Sequence, residues 1–355
     1  MFELARTLPG AIDLSLGNPS EDPPAAIQEA AIAAIRNGGR YSLTDGGLEI
    51  RKAVADKLRN QNGIAAAPEQ VVITAGVTGG LVLALSALLD PGDEVILLDP
   101  YFLLYPETIR LLGGRAVYVS TYPSWDIPIE AISKAVSSRT KAIIVNTPNN
   151  PTGKVYSRQS LAALGELAAR HDLVIIADET YEQFVYQDKH TSIGSIYPQT
   201  VTLTGLSKSE AVGGWRIGYL HAQTALIEMI RKVQQILYVC APTPAQAALC
   251  ASLSLNRTEM QRKYAGRNAL TRSVFPNCPG MEGAIYAFLP APDRDASQFV
   301  RLLVDHGVIA VAGSAFSQQN THIRIMYAVN DEKLTEALKI IRRAMDESRI
   351  LKGAM

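Results

Sequence analysis

TGLSKSEAVGGWRIG, residues 204–218, places Lys208 at the end of an apolar run and Arg216 eight residues later. A lysine amine attacks an aldehyde only when it is deprotonated, and neighbouring cationic groups lower the pKa of such an amine. We therefore predict that Lys208 forms a Schiff base with a carbonyl compound and that Arg216 binds a phosphate. Taken alone, a lysine and an arginine flanked by serine and glycine are more often a solvated turn. The other segments of the chain must decide between these two interpretations.

A second informative segment begins with the apolar run from Leu173 to Ala177, which predicts a buried strand. Asp178 follows at its carboxyl end, where a charge destabilises the fold unless it is paired. Such a carboxylate either caps the next turn or holds a cationic ring nitrogen, the usual arrangement for a pyridinium cofactor. We predict the second role for Asp178, and Tyr181 could then reach the phenolic oxygen of the same ring.

Two more strands run into turns that carry polar or glycine residues. The predicted strand 142–145 leads into a turn that contains Asn150, which in isolation would be an ordinary turn residue. The predicted strand 71–74 leads into the glycine-containing segment 75–80 and then into a helical run, residues 81–89. A turn that opens a helix presents free backbone N–H groups at the positive end of the helix dipole. The segment 75–80 therefore predicts a phosphate site.

In this order, the motifs resemble those of the fold type I pyridoxal 5′-phosphate (PLP) enzymes, specifically the class I and II aminotransferases related to aspartate aminotransferase. The resemblance extends from LSLGNP at residues 14–19 to RIMYA at residues 324–328. It implies an α/β fold that has a three-layer large domain with a mainly parallel sheet and a smaller α+β domain. It also implies a PLP-dependent aminotransferase that moves an amino group between an L-amino acid and a 2-oxo acid.

The resemblance assigns roles to the residues at matching positions. Lys208 would form the Schiff base with the cofactor and act as general base, while Asp178 would pair with the pyridine nitrogen. Tyr181 and Asn150 would bind the ring oxygen. The residues that contact the cofactor phosphate and the face of its ring would be Val77, Thr78, Ser207, Arg216 and Phe102.

The resemblance also implies a substrate site and a homodimer. Arg324 matches the arginine that binds the substrate α-carboxylate, a planar anion that suits a guanidinium; an internal salt bridge is the alternative. Gly17, Asn18 and Asn150 would also contact the substrate, and a simple turn is the alternative for Gly17 and Asn18. Tyr41 matches a tyrosine that reaches the cofactor phosphate of the neighbouring subunit. Thr78 stands where some aspartate-preferring relatives have a lysine, which makes an acidic substrate less favoured.

Three alternatives to transamination stay open at this point. A C–S lyase, a decarboxylase or a cyclising enzyme of the same fold would keep the cofactor residues and differ in the pocket, for which the apolar candidates are Phe102, Tyr238, Tyr286 and Phe316. A non-catalytic PLP-binding regulator usually carries a DNA-binding segment, and we expect that this chain has no room for one. A nicotinamide dehydrogenase is disfavoured because no GxGxxG motif follows any predicted strand.

Composition limits the partners and the compartment. The chain has 355 residues, of which 47% are hydrophobic and 19% charged, as in an ordinary soluble protein with two domains. Lys plus Arg and Asp plus Glu balance at 34 each, so no overall field attracts nucleic acid or an anionic membrane. Three cysteines without CxxC spacing predict neither disulfides nor a metal site. The absence of a long apolar segment or a signal peptide predicts a cytoplasmic protein.

Strands alternate with helices from about residue 71 to residue 222, which predicts a parallel α/β sheet. We predict a large cofactor-binding domain at residues 22–250 and a small domain formed by residues 1–21 and 251–355. One helix, from Thr243 to Asn268, would link the two. The predicted strands of the large domain are residues 71–74, 94–98, 116–119, 142–145, 173–177, 200–204 and 216–221.

Overall fold

The computed structural model describes residues 10–187 and 189–353, so residues 1–9 of the predicted small domain lie outside the described part. Each strand predicted for the large domain is present, with its ends shifted by at most two residues. In chain order, the strands are β1 (Ile12–Asp13), β2 (Val71–Thr74), β3 (Glu94–Asp99), β4 (Arg115–Ser120), β5 (Thr140–Asn146), β6 (Val174–Asp178), β7 (Thr200–Gly205), β8 (Gly218–His221), β9 (Tyr286–Pro290), β10 (Val308–Ile309), β11 (Val311–Ala312) and β12 (His322–Met326).

Helices follow most of these strands, as the alternating pattern predicts. In chain order, the α-helices are α1 (Ala25–Arg36), α2 (Leu48–Lys57), α3 (Gly76–Leu88), α4 (Leu104–Leu111), α5 (Ile129–Ala135), α6 (Arg158–Arg170), α7 (Thr224–Leu237), α8 (Thr243–Ser252), α9 (Thr258–Val274), α10 (Ala296–Asp305) and α11 (Asp331–Gly353).

The large sheet has the strand order β2-β8-β7-β6-β5-β3-β4, and only β8 runs antiparallel to its neighbours. Its central strands are apolar on both faces: in β3, Val95 and Leu97 pack on one side, and Ile96 and Leu98 pack on the other. Helices α3, α4 and α7 cover the first side, and α5 and α6 cover the second. This confirms the predicted three-layer α/β fold. Burial of each such aliphatic side chain contributes about 1.5–3 kcal/mol.

The C-terminal part of the chain forms a second core around the antiparallel sheet β11-β12-β9. Helices α9, α10 and α11 pack on this core. The N-terminal strand β1 pairs with β10, so residues 12–13 join the C-terminal part rather than the large sheet. This pairing supports the predicted small domain, and its boundaries at residues 21 and 250 stay a prediction.

The linking helix predicted from Thr243 to Asn268 is wrong, because the chain forms two helices there. Helix α8 ends at Ser252 and α9 begins at Thr258. Between them, Asn256 Oδ1 accepts a hydrogen bond from the backbone N–H of Thr258 at 2.9 Å, which opens the new helix. Arg257 Nε donates to the buried Glu210 at 2.8 Å. These side-chain contacts stabilise the break, although the apolar pattern is helical on both sides of it.

Two element boundaries at the functional edge of the sheet also differ from the prediction. Strand β8 begins at Gly218 instead of Arg216, because Arg216 has φ 53° and so leaves the extended conformation. Helix α3 begins at Gly76 instead of Leu81, so the glycine-containing turn is itself the first turn of the helix. The free N–H groups of that helix therefore lie next to the end of β2.

No helix within residues 10–187 and 189–353 has the length and apolar character that crossing a bilayer requires. The cytoplasmic location stays a prediction. Glu179, Glu182 and His190 bring possible metal-ligand atoms within 4.8 Å of one another. Each has a protein partner, however, since Lys57 pairs with Glu182 and His190 with Glu179. We therefore assign no metal to this group.

Candidate active site

A cavity of about 550 Å³ opens at the carboxyl ends of the parallel strands, where ligands of open α/β sheets bind. The large sheet forms one wall of the cavity. The antiparallel sheet β11-β12-β9 and the segment after β1 form the other wall. Every predicted site residue except Asn18 and Tyr41 lines this cavity: Gly17, Val77, Thr78, Phe102, Asn150, Asp178, Tyr181, Ser207, Lys208, Arg216 and Arg324.

Lys208 lies on the turn after β7, and its Nζ donates a hydrogen bond to the carbonyl oxygen of Gly17. The segment after β1 thus closes over the lysine. A Cβ atom at position 17 would lie 2.3 Å from Tyr286 Oη and 3.3 Å from Lys208 Nζ. Gly17 is required here because any side chain would collide with the tyrosine hydroxyl.

Asp178 is the last residue of β6, and its two carboxylate oxygens accept hydrogen bonds from the protein. Oδ1 accepts from the backbone N–H of Thr180 at 3.1 Å and from its hydroxyl at 2.6 Å, and Oδ2 accepts from Tyr105 Oη at 2.7 Å. Burial, followed by the charge of Asp178, raises the pKa of Tyr105 well above its ordinary value. Tyr105 therefore remains a donor. The three hydrogen bonds fix the orientation of the Asp178 carboxylate.

Two asparagines organise the turn after β5. Asn146 Oδ1 accepts from the backbone N–H of Asn150 at 2.6 Å, and its Nδ2 donates to the Asp178 carbonyl oxygen at 2.9 Å. Asn150 Oδ1 in turn accepts from Arg324 Nη1 at 3.1 Å. Sequence reasoning missed both Asn146 and Tyr105. Asn146 could have been found, because it ends a buried strand at the same sheet edge as Asp178, whereas Tyr105 on α4 gives no such signal.

Arg324 is a buried cation, 5% exposed, on strand β12. Its Nη2 donates to the Ser15 carbonyl oxygen at 2.6 Å, and its Cζ lies 4.5 Å from the ring centre of Tyr286 and 4.3 Å from that of Phe316. Burial lowers the pKa of Arg324. Nε has no partner, and no carboxylate within the described residues comes within salt-bridge distance. The internal salt bridge considered from sequence is therefore absent from this part of the chain, and the guanidinium is left to bind an anion.

Arg216 lines the cavity beside the N-terminus of α3. Its Nη1 donates to the Gly213 carbonyl oxygen at 2.9 Å. A Cβ atom at Gly76 would lie 2.7 Å from Arg216 Nη2, so the glycine permits the close approach of the guanidinium. Val77 and Thr78 belong to the first helical turn and line the cavity. The guanidinium, the helix dipole and the free N–H groups together suit a phosphate.

The aromatic candidates divide into two groups. Tyr286 and Phe316 line the cavity together with Phe102, as the sequence suggested. Tyr238 is not part of its lining; its hydroxyl instead accepts a hydrogen bond from the Ala75 N–H at 3.3 Å. Tyr181 Oη lies 2.9 Å from Tyr286 Oη, and burial, followed by that neighbour, raises the pKa of Tyr181 well above its ordinary value.

Two predicted site residues lie outside the cavity lining. Asn18 is exposed, and its Oδ1 lies 3.9 Å from the Cβ position of Gly213, a lining residue. This places Asn18 at the rim of the cavity. Tyr41 is 84% exposed and lies away from the cavity of its own chain. Its predicted contact with a second subunit stays a prediction.

The charges of the cavity show which ligand it suits. Lys208, Arg216 and Arg324 face it, and Asp178 is the one carboxylate that lines it within the described part of the chain. None of the three cations has a carboxylate within 4.0 Å among the described residues. A ligand with a phosphate at one end and a carboxylate at the other would balance these charges. The donors around Lys208 and Asp178 fit PLP, which carries an aldehyde, a phenolic oxygen, a ring nitrogen and a phosphate.

Comparisons with known proteins agree with this chemistry. The family model described as aminotransferase class I and II matches residues 9–341. The aromatic-amino-acid aminotransferase 2 of Thermococcus litoralis is 36% identical, over 99% of this chain and 96% of the relative. The aspartate/prephenate aminotransferase of Thermus thermophilus is 35% identical, over 97% and 93%. The structure of an aromatic aminotransferase from Pyrococcus horikoshii has a TM-score of 0.91 at 33% identity, covering 98% of this chain and 99% of that one.

The match covers nearly the full length of both chains, so it includes the sheet, the cavity and the C-terminal part. It confirms the predictions of transamination and of PLP as the cofactor. The chain belongs to the class I and II aminotransferase family and is a PLP-dependent enzyme that moves amino groups between amino acids and 2-oxo acids.

Proposed function

We propose that the cavity is the active site, in which Lys208 carries PLP and Arg324 binds the α-carboxylate of the amino acid. The observation that supports this most strongly is the buried guanidinium of Arg324, which is fixed between two aromatic rings and lacks an anionic partner among the described residues. A buried charge is costly unless it is paired. A substrate carboxylate would supply the missing charge bidentately.

The cofactor would be held at both ends. Arg216, Ser207 and the first turn of α3, with the N–H groups of Val77 and Thr78, would bind its phosphate. Asp178 would pair with its ring nitrogen, and Phe102 would pack on its ring. Tyr181 and the free Nδ2 of Asn150 would donate hydrogen bonds to its ring oxygen. When bound, PLP supplies an electron sink for negative charge that develops at the substrate α-carbon.

The protein residues would supply the proton transfer and the orientation. Lys208 Nζ, held near Gly17, would take the proton from the substrate α-carbon as general base and return it to the carbon on the other side of the substrate nitrogen, two bonds away. Asp178 accepts three hydrogen bonds from the protein, which fix its carboxylate in the orientation in which it would pair with the protonated ring nitrogen. Arg324 would orient the α-carbon toward the lysine.

We further propose that the enzyme prefers amino acids with apolar or aromatic side chains. Each cation of the lining is assigned to the cofactor or to the α-carboxylate, and position 78 carries a threonine. No other cation within the described residues lines the cavity to bind a second carboxylate. The remaining lining is largely apolar and includes Leu16, Phe102, Leu103, Leu104, Val311 and Phe316.

The proposed function predicts a specific defect for Arg324→Gln. The amino acid concentration that gives half-maximal reaction should rise by roughly 30- to 150-fold, the equivalent of about 2 to 3 kcal/mol for lost charge-assisted hydrogen bonds. Affinity for PLP should change little, because the phosphate is bound at the other end. The measurement is the spectral conversion of bound PLP by phenylalanine, and by aspartate, without a 2-oxo acid.

Arg272→Gln is the matched control for this experiment. Arg272 also has an unpartnered Nε, but it donates to the Gly280 carbonyl oxygen away from the cavity. An unchanged half-saturation in Arg324→Gln would remove Arg324 from substrate binding. A wild-type enzyme that prefers aspartate to phenylalanine would require a cation from outside the described lining, and the proposed preference would be wrong.

A homodimer is the proposed active assembly, with Tyr41 reaching the partner's cofactor. Tyr41 and Leu43 are 84% and 61% exposed, which is unusual for side chains of their size. Gln234 of α7 donates to the Thr44 carbonyl oxygen, so this segment lies beside the end of that helix. Ile236 and Leu237 there are 83% and 53% exposed. An exposed apolar surface of this kind is typical of a protein interface.

Mixed dimers test the role of Tyr41. Tyr41→Phe removes one hydroxyl and should weaken PLP binding by about 1.5 to 3 kcal/mol, the range for a hydrogen bond to a charged group. Mixing this chain with a Lys208→Ala chain should give hybrids in which one site carries both defects and the other carries none. At limiting PLP, the intact hybrid sites should bind cofactor more tightly than the Tyr41→Phe parent.

Tyr118→Phe provides the comparison, because Tyr118 is another partly exposed tyrosine on a different surface. It should leave PLP affinity unchanged. If the chains demonstrably exchange and the hybrids recover no affinity, Tyr41 does not act across the interface.

A further inference from the structure

We propose that Tyr286 is a positioning residue for this reaction: its hydroxyl orients the hydroxyl of Tyr181, and its ring fixes the guanidinium of Arg324. This inference rests on the proposed function, because it assigns a substrate role to Arg324 and a ring-oxygen role to Tyr181. One side chain would then couple the group that binds the carboxylate to the group that binds the cofactor oxygen.

The sheet places Tyr286 where it can make both contacts. Tyr286 opens β9 opposite Met326 of β12, and Arg324 lies two residues earlier on that same strand. Such diagonal neighbours share a sheet face and are within reach of aromatic and long side chains. The ring centre lies 4.5 Å from Arg324 Cζ. Tyr286 is 1% exposed, so its neighbours fix its position.

The hydroxyl of Tyr286 lies close to both Tyr181 and Gly17. It is 2.9 Å from Tyr181 Oη, and it occupies the space that a side chain at Gly17 would need. Gly17 is also the residue whose carbonyl oxygen accepts from Lys208. Tyr286 therefore contacts Tyr181 directly. It also lies against Gly17, the residue that accepts the hydrogen bond from Lys208.

The hydrogen bond between the two hydroxyls has a preferred sense once a ligand is bound. If Tyr286 donates to Tyr181, the Tyr181 hydrogen is free to point into the cavity. A hydroxyl that accepts one hydrogen bond donates a stronger one, because the bonds polarise each other. Tyr286 would thereby strengthen the hydrogen bond that Tyr181 donates to the cofactor oxygen.

Tyr286→Phe removes the hydroxyl and keeps the ring, so it tests the two proposed contacts separately. A weaker donor at Tyr181 leaves the cofactor oxygen more basic, so the cofactor retains its shared proton to higher pH. The pH midpoint of the absorbance of bound PLP should therefore rise by about half a unit or more. The phenylalanine ring still packs on Arg324, so half-saturation by the amino acid should stay within about twofold of wild type. Tyr286→Leu removes both contacts and should also raise half-saturation several-fold.

Tyr327→Phe is the matched control, because Tyr327 is equally buried in the same core and its hydroxyl donates to the Ala284 carbonyl oxygen away from the cavity. It should leave the midpoint unchanged. The sharpest test repeats Tyr286→Phe in a Tyr181→Phe background, where no further shift is expected because the acceptor hydroxyl is gone.

The experiment is an absorbance titration of the PLP-loaded wild type and these variants. A raised midpoint in Tyr286→Phe, absent in Tyr327→Phe and abolished by Tyr181→Phe, is the expected result. An unchanged midpoint in Tyr286→Phe, or an equal shift in the Tyr181→Phe background, would overturn the inference and leave the proposed function standing. A wild-type protein that binds no PLP would overturn the proposed function and this inference with it.

Discussion

Replacing Lys208 with alanine is expected to lower turnover by about 10⁴-fold or more, because in the proposed function the same amine would form the covalent link to PLP and move the substrate proton. The structure gives no substitute for it: the other lining cations are guanidiniums, which cannot be deprotonated in proteins. PLP should still bind without a covalent link, since Arg216, the first turn of α3 and Asp178 are unchanged. The measurements are turnover with an amino acid and a 2-oxo acid, and the absorbance of the bound cofactor.

Lys208→Arg is the informative companion variant. It keeps a positive charge of similar reach, but it can neither form a Schiff base nor act as a base near neutral pH. It should lose activity as severely as Lys208→Ala. If either variant kept wild-type turnover, the role of Lys208 would be wrong, and with it the assignment of the cavity.

Removing the charge of Asp178 is expected to have the next largest effect. Asp178→Asn should lower turnover by roughly 10²- to 10³-fold and weaken PLP binding, because breaking a buried charge pair costs about 3 to 5 kcal/mol. An uncharged ring nitrogen is a poor electron sink. Tyr105 and Thr180 would remain to bond the new amide, so the fold should persist. Single-turnover kinetics with phenylalanine measure the effect.

Glu94→Gln is the control for this substitution. Glu94 is another buried carboxylate of the large sheet, bonded to Ser137 and Arg139 at the amino end of β3, the edge opposite the cavity. Its loss should affect stability while leaving the rate per folded molecule unchanged. Equal rate losses in both variants would indicate a structural effect in place of a role at the ring nitrogen.

Sequence reasoning located the residues that local patterns place at one sheet edge. Asp178 and Lys208 each follow an apolar strand, and parallel strands bring their carboxyl ends together, so their meeting in one cavity could be predicted. Six of the seven strands could be predicted because their apolar runs are almost wholly buried, whereas β4 is a largely exposed edge strand that its shorter apolar run still indicated.

Local sequence patterns do not predict contacts between segments that are distant in the chain. The hydrogen bond from Tyr105 to Asp178 joins residues 73 positions apart, and that between Tyr181 and Tyr286 spans 105 positions. The helix break after Ser252 depends on side-chain contacts of Asn256 and Arg257. The spacing of apolar residues does not predict these contacts. The left-handed conformation of Arg216 was missed because an arginine rarely adopts it.

If the cavity is the active site, PLP occupies it and is bound to Lys208. The most direct test of this expectation is to load the wild-type protein with PLP, reduce it with borohydride so that the Schiff base becomes a stable amine, and locate the added pyridoxyl group by peptide mass spectrometry. We expect one stoichiometric label on Lys208 and none at that position in Lys208→Arg. A label on another lysine, or no label despite an aldimine-like absorbance band, would contradict it.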